Sequence, residues 1–400
     1  MVDLVRLLRR ETSSTEFIPV IDGLRFLAIL MVVLFHVNAY IQEKSQTIAF
    51  NSTESCLSAN IFVYGHQGVQ LFFVISGFIL AMPFMRQSFG QNDKQISLKQ
   101  YFLRRLTRLE PPYFVSTLVL FLVLAIFVSE KYSYNDLLAS LFASLFYLNN
   151  FLFPGESPRI NSVTWSLEVE IQFYLLAPFL VWCLCTVKRR VIRRLLILML
   201  IIAFAVLSWL LETVLQIRAI SLANFFQYFL AGVLVCDIYL LDSDEMRFDG
   251  FWYFFLGVFL LLFLTSVEHS QTSHLLLKIV SPLAIGTFYL IVFGNRFWKR
   301  FFSISALTVI GGMCYTIYLL HYSIISAVGR LAVANAVVPN FYSYFAIQTF
   351  IYLIAILLAS FAFFLLIEKP CMRRDWYLRV FENLKTTFQH GRSKRIFDQE

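Results

Sequence analysis

Charge is scarce in this chain: 14% of its 400 residues are Asp, Glu, Lys or Arg, against 59% apolar residues. A soluble domain carries about 25% charged residues. A surface this poor in charge cannot be solvated by water, so lipid is the expected solvent for most of it. Cysteine is sparse too, at six positions, Cys56, Cys183, Cys185, Cys236, Cys314 and Cys371. None stands in metal-ligand spacing with a histidine, which points away from a metal site. Cys183 and Cys185, two apart near a helix end, have poor disulfide geometry and read as small apolar helix residues. No polar stretch is long enough to bury a core of its own, so no soluble second domain is expected. The first apolar run lacks the short core and small-residue flank of a cleavable signal and reads as an uncleaved anchor.

What remains is apolar sequence rich in Phe, 44 residues of it. A helix needs about 20 mostly apolar residues to cross a bilayer. Stretches of that kind lie at 20–41, 67–85, 111–129, 163–186, 191–211, 221–241, 251–267, 275–294, 303–328 and 343–367. The expected fold is therefore an all-α integral membrane protein of about ten transmembrane helices. An eleventh apolar stretch, 137–153, is short and broken by Ser140, Ser144, Asn149 and Asn150.

The net charge of +8 raises the question of a nucleic-acid partner, and the positions of the basic residues answer it. Cytoplasmic loops of membrane proteins are rich in Lys and Arg. Arg6, Arg9 and Arg10 place the N-terminus inside, and the cluster Lys188, Arg189, Arg190, Arg193 and Arg194 belongs inside as well. An even number of crossings must separate the two, which leaves 137–153 as a re-entrant or interfacial segment on the outer side. With both termini cytoplasmic, 26 of the 33 lysines and arginines fall in inside segments. The positive charge is thus a topology signal, with the bilayer as partner and no nucleic acid required. The chain divides into a cytoplasmic N-terminal tail, 1–16, a transmembrane domain, 17–370, and a basic cytoplasmic C-terminal tail, 371–400.

Ionisable groups inside spans are costly and mark functional sites by default. The first span reads VIDGLRFLAILMVVLFH from Val20 to His36. Arg25 and His36 are separated by about 1100°, three turns plus about 20°, so they share a helix face at about 16 Å. Asp22 shares that face, and at i, i+3 it can pair with Arg25. The pattern is an ion pair near the cytoplasmic mouth and an imidazole in the outer half. Its plain alternative is a snorkelling arginine and an interfacial histidine. In the fourth span Glu168 and Glu170 are about 200° apart, so both cannot face lipid. Glu170, His36 and His321 of the ninth span fall at similar depth below the outer boundary, as expected of a buried polar chamber. Arg105 and Arg108, at i, i+3 before Pro111 and Pro112, would lie at the inner surface, where guanidinium forks suit phosphate oxygens.

Taken together, these segments resemble acyltransferase family 3, membrane enzymes that modify glycans and related acceptors. The IDGLR-like opening is matched with Arg25 eleven positions before His36, and an FFVISGF-like motif by Phe72 to Phe78. An RxxR motif is matched by Arg105 and Arg108, and a WSLxVExQFYLLxP stretch by Trp165 to Pro178 with Glu170 at the glutamate. A late SYxIYLLH-like segment runs from Cys314 to His321, with cysteine in the usual serine position, and an EKP-like ending from Glu368 to Pro370. Ile171 departs from the second glutamate of many members. The 400 residues also include no soluble esterase-like domain of the kind some members carry, which would leave the transfer to the membrane domain or to a partner protein.

The resemblance implies an acyl-CoA donor, usually acetyl-CoA, bound from the cytoplasm, and a sugar or lipid-linked sugar acceptor. No cofactor is held permanently, and the usual location is a bacterial inner membrane. Carried over, it makes Arg105, Arg108 and Arg25 the donor-binding residues. His36 is the general base for the acceptor hydroxyl, with Glu170, Arg25, Asp22 and His321 in the catalytic set. The competing classes are a secondary transporter and an acyl-export component without transferase activity. The first predicts an internal repeat between the halves, and none is evident.

Overall fold

The computed structural model describes residues 17–45, 63–91, 95–127, 133–217, 220–242, 245–266, 275–332, 341–373 and 376. The expected tails, 1–16 and 371–400, lie outside the described residues apart from 371–373 and Trp376. Among the described residues there are helices and no strands, the form in which a chain in lipid satisfies its own backbone polar groups. In chain order the helices are α1 Pro19–Ser45, α2 Gly68–Ser88, α3 Leu98–Phe127, α4 Tyr134–Leu145, α5 Asn149–Leu152, α6 Trp165–Thr186, α7 Arg190–Trp209 and α8 Leu222–Leu241. They continue with α9 Phe251–Ser266, α10 Leu275–Gly294, α11 Arg296–Phe302, α12 Ser305–Gly312, α13 Cys314–Ala332, α14 Phe341–Phe363 and α15 Lys369–Cys371. Eight of these, α1, α2, α3, α6, α7, α8, α10 and α14, are long and apolar enough to cross a membrane.

The remaining two expected spans differ from the simple reading. The 303–328 stretch is two helices, α12 and α13, bent by 70°, and counts as a ninth crossing only if the pair is taken as one. The reason lies at Gly311. A Cβ there would overlap the carbonyl of Asp22, so α12 lies directly on the backbone of α1, and the chain must turn at Met313 for α13 to run on. The 251–267 stretch is α9, with 16 residues, short of the about 20 a crossing needs.

A third difference concerns Pro111 and Pro112, which stand at the start of the span expected at 111–129. Both lie inside the 30-residue α3. A proline at position i deprives the carbonyl at i−4 of its donor. Here the carbonyls so affected are those of Thr107 and Arg108, and the Trp376 indole N–H donates to the first at 2.9 Å. The C-terminal segment thus repairs the ladder that Pro111 opens.

The 137–153 segment forms α4, of 12 residues, and the single turn α5. At about 1.5 Å per residue α4 covers about 18 Å, too short for a bilayer. Glu168 of α6 fixes it in place: its carboxylate accepts from the Asn149 amide at 3.2 Å, the Asn149 side chain at 3.0 Å and the Asn150 amide at 2.8 Å. This fully buried carboxylate is a structural anchor rather than an interfacial charge.

Three arginines of the basic cluster are ion-paired. Asp237 of α8, fully buried, bonds Arg193 at 2.5 Å and Arg194 at 2.8 Å, while Asp242 bonds Arg194 at 2.6 Å and Arg190 at 3.0 Å. Removing one partner of a buried pair leaves the other charge stranded, at about 3–5 kcal/mol. Asp237→Ala is therefore expected to lower the thermal midpoint in detergent sharply. A midpoint equal to that of wild type would reduce the α7–α8 pairing to a solvated surface contact.

Candidate active site

Apart from Glu168, the candidate residues of the sequence gather in two places. The first is built by α1 and α13, which run in the same direction: Gly311, just before α13, touches Asp22, and Gly329, near its end, touches Tyr40. This parallel packing brings His36 and His321 together across 285 positions of sequence, with Nε2 of His321 3.2 Å from Nδ1 of His36 and ring centroids 5.0 Å apart. His321 is fully buried, and His36 is half-buried.

Hydrogen-bond partners fix both tautomers. Nδ1 of His321 faces the carbonyls of Ile317 at 3.1 Å and Tyr318 at 2.9 Å. Carbonyl oxygens only accept, so Nδ1 carries the proton and Nε2 is left as an acceptor. Nδ1 of His36 faces the Val32 carbonyl at 2.9 Å and the bare Nε2 of His321, so it too is the donor. The lone pair of His36 is then on Nε2, the nitrogen turned away from both partners. A ring with its Nδ1–H held and its Nε2 bare is ready to take a proton. Tyr318 holds α13 to this depth, with its hydroxyl between Ser166 Oγ at 2.6 Å and the Val163 carbonyl. Asn161 Nδ2 donates to the Leu319 carbonyl at 2.8 Å.

The second gathering lies toward the Pro19 end of α1 and is centred on α3 and α6. Arg25 and Asp22 form the expected ion pair, at 2.7 Å. Arg25 interacts electrostatically with Cys314 at the α12–α13 break and with Tyr174. Arg105 lies over the Tyr101 ring at 3.9 Å and near the Tyr174 ring at 5.5 Å. Arg108 presents a buried Nε with no hydrogen-bond partner among the described residues. Arg25 is neutralised by Asp22, but among the described residues no carboxylate is bonded to Arg105 or Arg108, and Arg105 is positioned by aromatic faces, which leaves donors available to an anion.

Glu170 belongs to this second group. Among the described residues its hydrogen bonds are from Ser76 at 2.5 Å and Tyr174 at 2.6 Å, and it is within electrostatic reach of Arg105. The expected equal depth does not hold: Ser166, one turn before Glu170, is level with Tyr318, so Glu170 lies toward the Pro19 end and is a partner of neither histidine. It faces the arginine side of the chamber and holds Tyr174, and through Tyr174 the stack on Arg105. Tyr101, Tyr174 and Ser76 were not singled out from the sequence. The signal was present for the tyrosines, which sit one turn from Arg105 and Glu170 at i, i+4. Two further acids have partners nearby: Glu110 accepts from the Tyr147 hydroxyl at 3.1 Å, and Glu368 accepts from Thr316 at 2.5 Å.

A family model described as an acyltransferase domain matches residues 18–369. The chain is 25% identical over 393 residues to the O-acetyltransferase OatA of Staphylococcus aureus, covering 87% of this chain and 55% of the relative. It is 30% identical over 188 residues to the peptidoglycan O-acetyltransferase OatA of Listeria monocytogenes, covering 44% of this chain and 26% of the relative. It is 27% identical over 190 residues to the putative peptidoglycan O-acetyltransferase YrhL of Bacillus subtilis, covering 45% and 26%. The chain thus spans about half or less of the length of these relatives. No solved structure matches it.

Proposed function

This chain belongs to the acyltransferase-domain family, and on that premise we propose that it is a multi-pass membrane O-acetyltransferase of a bacterial inner membrane. It moves an acetyl group from cytoplasmic acetyl-CoA to a glycan hydroxyl, of the peptidoglycan class named for its relatives. The Pro19 end of α1 is the cytoplasmic end, a placement supported by the basic clusters. The observation that carries the reading is the histidine pair: a half-buried imidazole whose Nδ1–H is held by Val32 and His321 and whose Nε2 is bare.

Acetyl-CoA enters at the arginine end. Arg105 and Arg108 bind its phosphates, and the pantetheine arm runs along the α1 face from Arg25 toward His36, a distance of about 16 Å. Nε2 of His36 removes the proton from the acceptor hydroxyl as its oxygen attacks the thioester carbonyl. The new C–O bond forms, the C–S bond breaks, and the thiolate of CoA leaves, taking up the proton that His36 removed and so restoring the neutral imidazole. The imidazolium formed on His36 is stabilised at Nδ1–H by the Val32 carbonyl and by Nε2 of His321. Glu170 and Asp22 act through neighbours, Glu170 by positioning Tyr174 and Asp22 by orienting Arg25.

His321 is a positioning residue in this scheme. His321→Phe keeps the ring volume but removes the acceptor for the His36 Nδ1–H. It is expected to lower kcat by about 10- to 100-fold, the scale of one charge-stabilising hydrogen bond, with the KM for acetyl-CoA unchanged. The assay is acetylation of soluble glycan strands by the purified chain in detergent. Equal kcat in wild type and His321→Phe would remove His321 from the mechanism. The same assay addresses an acetyl-export role, which draws on the relatives' extending beyond the matched region. Acetyl-CoA binding without any transfer by the purified chain would favour export over catalysis.

A further inference from the structure

The face of α1 that carries His36 continues to Tyr40, four residues and about 6 Å nearer the Ser45 end. Two other helices meet Tyr40 there. Gly329 of α13 lies against its ring, and a Cβ at that position would overlap the ring carbons. Tyr352 of α14 meets it edge to face, with ring centroids 6.0 Å apart and planes at 81°. At the opposite end, Glu368 just past α14 bonds Thr316 near the start of α13. So α14 runs antiparallel to α1 and α13. Stepping back one turn along α14 from Tyr352 therefore leads away from the histidines, to Gln348, toward the Ser45 end of the bundle.

Gln348 and Tyr352 are 2% and 0% exposed, yet Gln348 Oε1 and the Tyr352 hydroxyl have no hydrogen-bond partner among the described residues. A buried polar atom left unsatisfied costs about 1–3 kcal/mol, and Leu or Phe at these positions would avoid that cost. Two such atoms fall one turn apart on one helix face. They line up with Tyr40 and then with the half-buried His36, from the end of the bundle opposite the arginines. The donor half of the reaction uses none of them.

We propose that Gln348 and Tyr352 form the acceptor subsite, binding the hydroxyl and amide groups of a glycan strand that enters from the Ser45 end. This rests on the O-acetyltransferase reading above. Gln348 Oε1 accepts from a sugar hydroxyl or N-acetyl N–H, the Tyr352 hydroxyl donates to a sugar oxygen, and the Tyr40 ring gives the sugar an apolar edge. One sugar hydroxyl is thereby delivered to Nε2 of His36, a turn further in, while acetyl-CoA arrives from the other side.

The test uses the full chain in detergent, with soluble glycan strands released from peptidoglycan as acceptor and acetyl-CoA as donor. In the double variant Gln348→Leu/Tyr352→Phe the strand concentration giving half-maximal rate should rise about tenfold or more. Acetyl-CoA affinity should hold, and the thermal midpoint should hold or rise, because no hydrogen bond among the described residues is lost. Tyr352→Phe alone, which deletes one oxygen, should show a smaller rise of the same kind. An unchanged strand dependence overturns the proposal, as does a rise accompanied by a lowered midpoint, which would assign the pair to packing. Strand binding is also titrated without acetyl-CoA. If wild type binds strands and the double variant does not, the subsite stands even where transfer fails and the O-acetyltransferase reading falls. Equal binding by the two removes the subsite alone.

Discussion

His36→Ala is expected to lower glycan acetylation by at least about 100-fold at equal amounts of folded protein, because general-base catalysis contributes about 10²- to 10⁴-fold. The expectation comes from the tautomer that the surroundings impose. With Nδ1 of His36 donating to Val32 and His321, the basic nitrogen is Nε2, the one turned away from both partners. Alanine removes that lone pair and leaves Nε2 of His321 without its donor. Acetyl-CoA affinity should be unchanged, since the arginine group lies near the other end of α1. Rates are compared in membranes carrying matched protein, with donor binding titrated in parallel. Retention of more than about a tenth of the wild-type rate is incompatible with His36 as the base.

Replacing Arg105 and Arg108 together by Gln should weaken acetyl-CoA binding by at least about 100-fold, since each charged hydrogen bond lost is worth about 1.5–3 kcal/mol. Arg105 is held over Tyr101, and the Arg108 Nε is buried without a partner among the described residues. An arginine already consumed by a carboxylate would have little left for a phosphate; neither of these two is bonded to a carboxylate among the described residues, and Arg105 is placed by the Tyr101 ring instead. The double Lys variant should recover only part of the affinity, because Lys keeps the charge and loses both the planar fork and the stacking. Titration of acetyl-CoA against detergent-purified wild type and both double variants decides the matter. Equal affinities in all three proteins would make the pair a membrane anchor and move the donor site toward Arg25.

Much of this protein is local and therefore legible in its sequence. Span length, basic flanks and a 100° helical step are properties of consecutive residues. They were enough to predict an all-helical membrane protein, to pair Asp22 with Arg25 and to put His36 on their face. The motif order from Arg25 to Pro370 pointed to the family for the same reason. Helical periodicity fails where a partner comes from elsewhere in the chain. It placed Glu170 at the depth of the histidines, whereas Glu170 lies with the arginines toward the Pro19 end, because counting residues from a span's end says nothing about how that helix is shifted and rotated against its neighbours. It read 303–328 as one span because a Gly-Gly pair inside an apolar run does not announce which backbone will lie against it. It treated Pro111 as a boundary because the donor that rescues Thr107, Trp376, is 269 residues away.

By itself, then, the sequence determined the solvent, the helices, the family and the faces on which the charged groups sit, since each follows from residues within a few turns of one another. Only the tertiary structure decided what those faces meet. The parallel packing of α1 and α13 converts two isolated histidines into a pair with fixed tautomers. The antiparallel return of α14 sets unsatisfied polar atoms above them. Both arise from interhelical contacts, where side-chain shape, close approach at glycines such as Gly311 and the burial of Asp22 choose one packing among many that the same set of helices could adopt.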